Sequence, residues 1–231
     1  RNMITGPITR PITRPITAPI TANVGGGSAS PDPSNRVLVA EGDSITSVAG
    51  SYPRLFEGYA SPQFTSFYVS AVAGSNIFFL NLRAAANDAK KSASGSNIYT
   101  VMIGRNDIGS PVSTWLTSLA AHCDARRAAG WTVVLCTVLP SDPVGFNALR
   151  NTANTEIRLW TTGGSTVPGI HCGYVCDFDT TSMGPDAACA DVGLYYDGTH
   201  PTAAGQVILE AKYREVVNAA TASNVTAAPV P

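Results

Sequence analysis

Two short segments that lie far apart in the chain together contain the parts of an activated serine nucleophile. Ser44 belongs to the segment Gly42-Asp43-Ser44-Ile45, which comes just after the apolar run at residues 37–40. Asp197 and His200 stand three positions apart in a turn-forming segment that precedes a helical pattern. An imidazole can accept the proton of a serine hydroxyl, and a carboxylate can hold that imidazole in the required tautomer. The three side chains therefore predict the hydrolysis of an ester.

The elements that must position these side chains alternate between strands and helices from Arg36 onward. Apolar or β-rich stretches predict strands at residues 36–40, 64–72, 98–103, 132–139 and 170–177. Helical spacing predicts helices at residues 52–59, 76–90, 110–129, 146–160 and from 202 onward. Such alternation is typical of a parallel sheet with helices on both faces. Ligands of open parallel sheets bind outside the carboxyl ends of the strands, so we expect the site at that edge.

Capping residues define the start of two predicted helices. In the helix that begins at residue 110, Ser110 is the predicted cap and Pro111 the predicted first-turn residue. Thr202 is the predicted cap of the last helix. The residues of that last helix predicted to face inward are Val207, Ile208, Ala211 and Val216.

Four segments that would meet at the carboxyl edge of the sheet carry suggestive residues. They are Gly42-Asp43-Ser44, Ala73-Gly74-Ser75, Gly104-Arg105-Asn106-Asp107 and Asp197-Gly198-Thr199-His200. In order and approximate spacing these segments resemble the four blocks of the SGNH hydrolase family, also called GDSL-type esterases. The resemblance covers residues 36–218, with Ile45 at a position where the family often has leucine.

The resemblance implies both a fold and a set of roles. The fold would be a three-layer α/β/α flavodoxin-like sandwich with a central, mostly parallel sheet of about five strands. Ser44 would be the nucleophile, His200 the general base and Asp197 the residue that orients His200. The oxyanion hole would consist of the backbone N–H groups of Ser44 and Gly74 and the side-chain amide of Asn106. The family's chemistry implies no metal and no cofactor.

Each of these residues also has an ordinary structural interpretation when taken alone. Ser44 could cap a helix, Gly74 and Asn106 could be turn residues, and His200 could begin a helix. The neighbouring acids Asp43 and Asp107 are better explained as turn or cap carboxylates. Structural roles are expected for His122, His171, Trp115, Trp131 and Trp160. The catalytic interpretation is favoured because the four segments occur together.

Composition excludes several classes of partner. The chain has 231 residues, a formal net charge of −1 and 13% charged residues, against roughly 25% in typical soluble proteins. No block of like charges is present, so we expect no nucleic-acid partner. No apolar run approaches the roughly 20 residues that span a bilayer, so we expect no membrane span.

The five cysteines allow three interpretations: a disulfide, a metal site or buried free thiols. Three of them, Cys172, Cys176 and Cys189, fall within 18 residues, and a disulfide that closes this loop is favoured. A metal site formed with His171 is the weaker alternative, because paired C-x-x-C spacing is lacking. Cys123 and Cys136 are expected to be buried free thiols.

The chain divides into four predicted parts: an extended Pro-Ile-Thr repeat arm at residues 1–23, a Gly/Ser/Pro linker at 24–35, the hydrolase domain at 36–220 and a tail at 221–231. In an extended arm the isoleucines would share one face, so the arm is either a disordered linker or a surface that packs on the domain or on another copy. If the arm packs on another copy, we expect a homo-oligomer formed through the arm. The compartment is not identified, although an extracellular, cell-surface or virion-associated location is favoured over the cytoplasm.

The predicted activity is that of a serine carboxylic-ester hydrolase that forms an acyl-enzyme intermediate. Because the inserted stretch at residues 182–193 is short and polar, short-chain and especially acetyl esters are favoured, with a small ester or an O-acetylated glycan as substrate. The alternative is a non-catalytic or dual-role adhesion or structural module of a larger surface or viral tail assembly, which the repeat arm suggests.

Overall fold

The computed structural model describes residues 35–60, 64–107 and 111–223. The strands are β1 (Val37–Gly42), β2 (Ser66–Val69), β3 (Asn97–Met102), β4 (Thr132–Cys136) and β5 (Tyr174–Cys176). The helices are α1 (Ser44–Ser47), α2 (Tyr52–Ala60), α3 (Ile77–Asp88), α4 (Val112–Ala128), α5 (Phe146–Leu159) and α6 (Ala203–Ser223). The predicted repeat arm, the linker up to residue 34 and residues 224–231 of the predicted tail lie outside the described residues. Helix α6 extends through Ser223, three residues beyond the predicted end of the domain.

The five strands form one sheet in the order β2-β1-β3-β4-β5, and every neighbouring pair is parallel. The prediction of a mostly parallel sheet of about five strands is therefore confirmed. Strand β1 lies between β2 and β3, so the strand order reverses direction there. A crevice forms at such a switch point because the connections leaving the two adjacent strands diverge to opposite faces of the sheet. Ser44 follows β1 and Asn106 follows β3, which places both residues at the edge of this crevice.

Alternating side chains of the strands supply two apolar layers, one on each face of the sheet. On one face, Leu38 and Ile98 pack in a cluster with Phe56 of α2 and Leu209 of α6. The other face carries Val39, Tyr99 and Val133 against helices α3, α4 and α5. The buried residues supplied by these three helices include Leu80, Trp115, Leu116, Leu119 and Ile157, and the buried Trp160 directly follows α5. The three-layer α/β/α arrangement predicted from the sequence is thus present, and all three tryptophans are core residues.

The predicted inward face of α6 is wrong in part. Val207 is 57% exposed and Ala211 is also exposed, whereas Val216 is buried. The buried stripe contains Leu209, Tyr213, Val217 and Ala220. Tyr213 decides the orientation, because its ring packs against Tyr52 and its hydroxyl bonds that of Thr100 at 2.8 Å. Aromatic rings dominate core packing, so the face that carries Tyr213 is the one turned inward.

The two capping predictions differ in outcome. The hydroxyl of Thr202 accepts a hydrogen bond from the N–H of Gly205 at 3.2 Å, so Thr202 caps α6 as predicted. Pro111, the predicted first-turn residue, is instead the N-cap of α4, whose first turn begins at Val112, and Ser110 lies outside the described residues.

The prediction of a disulfide among the last three cysteines is wrong. All five cysteines are free and buried. Cys172 belongs to the apolar layer beneath α4 and α5, whereas Cys176 and Cys189 belong to the opposite layer. The sheet itself therefore separates Cys172 from the other two, and Cys176 has Cys136 as its register partner across β4 and β5. Within the described ranges, no group of three or more His, Cys, Asp or Glu side chains could hold a metal ion.

Among the described helices, none combines the length and the apolar character needed to cross a membrane.

Candidate active site

The backbone around Ser44 is shaped by the two residues before it. A Cβ at Gly42 would lie 2.7 Å from the carbonyl oxygen of Met102, so only glycine allows this close approach of β1 to β3. The Asp43 side chain accepts a hydrogen bond from the N–H of Ile45 at 3.0 Å and caps α1. Ser44 is thereby held in the first turn of a short helix at the strand end, with its side chain partly exposed.

The structure brings the predicted serine, histidine and aspartate together. The hydroxyl oxygen of Ser44 lies 2.9 Å from Nε2 of His200, and Nδ1 of His200 lies 2.7 Å from Oδ2 of Asp197. Oδ1 of Asp197 accepts hydrogen bonds from the backbone N–H groups of His200 at 2.7 Å and Thr199 at 3.0 Å. An ionised carboxylate can only accept, so His200 carries its proton on Nδ1 and presents Nε2 as an acceptor to the Ser44 hydroxyl. Both distances are within hydrogen-bond range, and the contact between Ser44 and His200 permits transfer of the hydroxyl proton.

The acids near the site differ in ionisation. Partial desolvation alone would raise the pKa of Asp197, but hydrogen bonds from the backbone and ring N–H groups of His200 and from Thr199 outweigh it and lower the pKa. Burial raises the pKa of Asp43 to about 6. Burial also raises the pKa of Asp107, whose Oδ1 accepts a hydrogen bond from the N–H of Ile77 at 3.2 Å. Asp197 is therefore the acid that stays ionised beside His200, and Asp43 and Asp107 are cap carboxylates, as predicted.

The two residues predicted for the oxyanion side lie at the same edge of the sheet. Gly74 has φ +75°, and a Cβ placed there would meet no protein atom within 4 Å. Glycine is therefore required at this position by its left-handed backbone and not by crowding. The amide nitrogen of Asn106 donates to the carbonyl oxygen of Ser75 at 2.9 Å, which joins the loop after β3 to the loop after β2. Since a side-chain amide has two N–H groups, this bond uses only one of them.

A polar clamp that sequence reasoning missed braces the turn of Asp197 and His200. Arg105 donates from Nε to the hydroxyl of Ser141 at 2.8 Å and from Nη2 to the hydroxyl of Thr199 at 3.4 Å. The hydroxyls of Ser141 and Thr199 lie 2.6 Å apart. These bonds tie together three loops: the loop after β3, the loop after β4 and the loop after the 3-10 turn Asp186–Ala190, which carries His200. Arg105 and Thr199 belong to two of the four motifs. Their position next to Asn106 and His200 in the sequence is the one signal that could have identified them.

A cleft of about 290 Å³ opens beside the Ser44 hydroxyl. Its walls are mostly apolar and include Ile45, Val48, Ala73, Tyr196 and Pro201, with Ser47 and Gln206 as polar members. The Gln206 side chain is not free to turn, because it accepts from the N–H of Tyr52 at 2.8 Å and donates to the carbonyl of Ile45 at 3.2 Å. The cleft thus places apolar surface directly against the Ser44 side chain.

The fold is shared with several solved structures at low sequence identity. A lipolytic protein of the G-D-S-L family from Veillonella parvula DSM 2008 superimposes with a TM-score of 0.66 at 16% identity, over 79% of this chain and 98% of that one. The acetyl xylan esterase AlAXEase gives a TM-score of 0.59 at 17% identity, over 78% and 98%. A catalytic mutant of Axe2, an acetylxylan esterase from Geobacillus stearothermophilus, gives 0.57 at 16%, over 78% and 93%.

The family is shown by the sequence itself. No curated protein sequence matches this chain. The model of the GDSL-like lipase/acylhydrolase family matches residues 40–208, more than half of the chain and all four motifs. The chain therefore belongs to the GDSL-like lipase/acylhydrolase family.

Proposed function

We propose that this protein is a serine carboxylic-ester hydrolase that cleaves short-chain, chiefly acetyl, esters, with O-acetylated glycans as the substrate class. The observation that carries the proposal is the continuous hydrogen-bond chain from the Ser44 hydroxyl through His200 to Asp197. Such a chain activates a hydroxyl that is otherwise a weak nucleophile at neutral pH.

The reaction has two halves. In the first, the Ser44 oxygen attacks the ester carbonyl while Nε2 of His200 takes the hydroxyl proton, and His200 then gives that proton to the departing alcohol. The acyl group remains bonded to Ser44. In the second half, a water molecule attacks the acyl-enzyme with His200 again acting as base, and the acid and free Ser44 are released. Asp197 stabilises the imidazolium that forms in both halves, consistent with the lowered pKa of its carboxyl.

Negative charge develops on the carbonyl oxygen in each half. We assign its stabilisation to the backbone N–H groups of Ser44 and Gly74 and to an amide N–H of Asn106. One such donor typically contributes a factor of about 10² to 10³ in kcat. The loop positions of Gly74 and Asn106 at the crevice beside β1 support this assignment.

The dimensions of the cleft favour a small acyl group. Pockets that bury drug-sized ligands usually hold roughly 300–1,000 Å³, so the 290 Å³ beside Ser44 is at the low end. That two of the similar solved structures are described as acetylxylan esterases gives independent support for an acetyl ester of a polysaccharide.

An acyl-length series tests the proposal. Hydrolysis of p-nitrophenyl acetate, butyrate, octanoate and palmitate should show kcat/KM highest for acetate and falling with each longer acyl group. If the glycan chain is recognised, acetylated xylan should release acetate faster than a chemically acetylated small sugar does. The two substrates are compared at equal acetyl concentration. Ser44→Ala should abolish turnover of every substrate. A preference for octanoate or palmitate would contradict the short-acyl assignment, and residual turnover in Ser44→Ala would contradict the nucleophile.

A further inference from the structure

The imidazole of His200 is held at its edges by hydrogen bonds, and an aromatic ring lies against one of its faces in an offset stack. The Tyr196 ring stacks on it with the ring centroids 5.6 Å apart and the ring planes at 16°. Edge contacts fix the two ring nitrogens, yet they leave the ring free to tilt about the line that joins Ser44 to Asp197. Stacking opposes this tilt, since it requires the two planes to stay nearly parallel.

Backbone contacts within the turn bring the two stacked rings together. The N–H of Tyr196 donates to the carbonyl oxygen of His200 at 3.0 Å, and Tyr195 forms an isolated antiparallel bridge with Pro201. These contacts close the five-residue turn and place the side chains of its first and last residues side by side. The position of the Tyr196 ring therefore follows from the turn and does not depend on a neighbouring core.

Tyr196 is also poorly explained as a core residue. Its side chain is 64% exposed, and it lines the cleft beside Ser44. The side chains of His200 and Asp197 are 31% and 42% exposed, so the pair receives little shielding from the protein interior. An exposed tyrosine contributes little apolar burial, which leaves its contact with the imidazole as its main interaction in the described part of the chain.

We propose that Tyr196 is a positioning residue for His200, whose ring keeps the imidazole aligned with the Ser44 oxygen and stabilises the imidazolium that forms when Ser44 is deprotonated. The negative face of an aromatic ring attracts a cation within about 6 Å of its centroid, and this attraction is absent while the imidazole is neutral. The stack therefore contributes more to the transition state than to the resting enzyme. This inference rests on the proposed function of Ser44 and His200.

Three variants of the full chain separate the ring from other properties of the side chain. Tyr196→Phe keeps the ring and removes the hydroxyl, Tyr196→Leu keeps apolar bulk and removes the ring, and Tyr196→Ala removes both. Two rates are measured for each: steady-state hydrolysis of p-nitrophenyl acetate and covalent inactivation by a fluorophosphonate. The second rate reports activation of Ser44 alone, because the reagent requires no particular alcohol or acyl group.

Tyr196→Leu is expected to lower kcat and the inactivation rate constant about fivefold with KM nearly unchanged, and Tyr196→Phe is expected to stay within about twofold of wild type. Tyr196→Ala should be at least as impaired as Tyr196→Leu. Wild-type rates in Tyr196→Leu, or equal losses in Tyr196→Phe and Tyr196→Leu, would overturn the inference while leaving the proposed function intact. A wild-type protein whose Ser44 reacts with neither reagent would contradict the proposed function, and the inference would fall with it.

Discussion

Arg105 donates a hydrogen bond from Nε to the hydroxyl of Ser141 over 2.8 Å, and this bond joins the loop after β3 to the loop after β4. Thr199, which lies between Asp197 and His200 in the chain, contacts both partners. The clamp therefore fixes the turn that carries two members of the proposed triad. Misplacement of a catalytic group by about 1 Å can cost a factor of 10² in rate.

Breaking the clamp should lower the rate without unfolding the protein. Ser141→Ala and Arg105→Ala are each expected to lower kcat for p-nitrophenyl acetate about tenfold with a small change in KM, because His200 loses its alignment with Ser44. The double variant should lose little more than either single variant, since the three side chains act as one network. Arg54→Ala is the matched control, because Arg54 is an exposed arginine on α2. Additive losses in the double variant, or an equal loss in Arg54→Ala, would contradict this account.

Gly74 can be compared with Gly50, a glycine of the same φ that is not part of the proposed oxyanion site. Gly74 and Gly50 both have φ +75°, and in both cases a Cβ would meet no atom within 4 Å. Replacement of either by alanine should cost roughly 1–2 kcal/mol of stability, because a non-glycine residue is strained in this backbone region. Only Gly74→Ala should also lower kcat, about tenfold or more, as the proposed oxyanion N–H moves. Chemical denaturation and ester hydrolysis measure the two effects, and similar kcat values for the two variants would remove Gly74 from the oxyanion site.

Asp43 should make stability depend on pH. Burial raises the pKa of its carboxyl to about 6, so the folded protein binds this proton more tightly than the unfolded chain does. The protonated Asp43 therefore stabilises the fold at low pH, and this contribution to the free energy of unfolding is lost as pH rises from about 4 to about 6. Asp43→Asn keeps an oxygen acceptor for the N–H of Ile45 and cannot ionise. Relative to wild type, the variant should gain stability over this pH range by up to about 3 kcal/mol.

Urea denaturation of wild type and Asp43→Asn at about pH 4, 5, 6 and 7 measures this difference. The other titrating groups are the same in both proteins, so their effects cancel in the comparison. Asp43→Ala is the control for the cap, because it removes the acceptor and should be less stable than Asp43→Asn at every pH. A constant difference between wild type and Asp43→Asn across the range would show that the carboxyl does not titrate there.

Local sequence predicted the features of this molecule that depend on neighbours in the chain. The strands and most helices follow from apolar periodicity, and the position of Ser44 follows from the rule that parallel strands end at one edge. The turn of Asp197 and His200 follows the 3-10 turn Asp186–Ala190 and not a strand, so its approach to Ser44 is implied by the resemblance of the four segments to the family. The cap role of Asp43 likewise depends on a residue two positions away, the N–H of Ile45. Such local relationships can be predicted from the sequence because few other arrangements of neighbouring residues satisfy them.

Relationships that depend on which face a side chain occupies could not be predicted in the same way. Cys172 and Cys176 are four positions apart, yet they lie in apolar layers on opposite faces of the sheet, because Cys172 precedes β5 and Cys176 ends it. Aliphatic residues alone predict the wrong inward face for part of α6, because Tyr213 dominates the packing. The bond between Arg105 and Ser141 spans 36 positions and requires two particular rotamers, which no local pattern specifies.

The most direct test of the account is the identity of the residue that becomes covalently modified. The full chain is treated with a fluorophosphonate, and the adduct is located by intact-mass and peptide-mapping mass spectrometry. We expect one adduct per chain on Ser44, no adduct in Ser44→Ala, and a greatly slowed reaction in His200→Ala, whose Ser44 lacks its proposed base. An adduct on another residue, or labelling of Ser44→Ala at the wild-type rate, would contradict the assignment of Ser44 as the nucleophile.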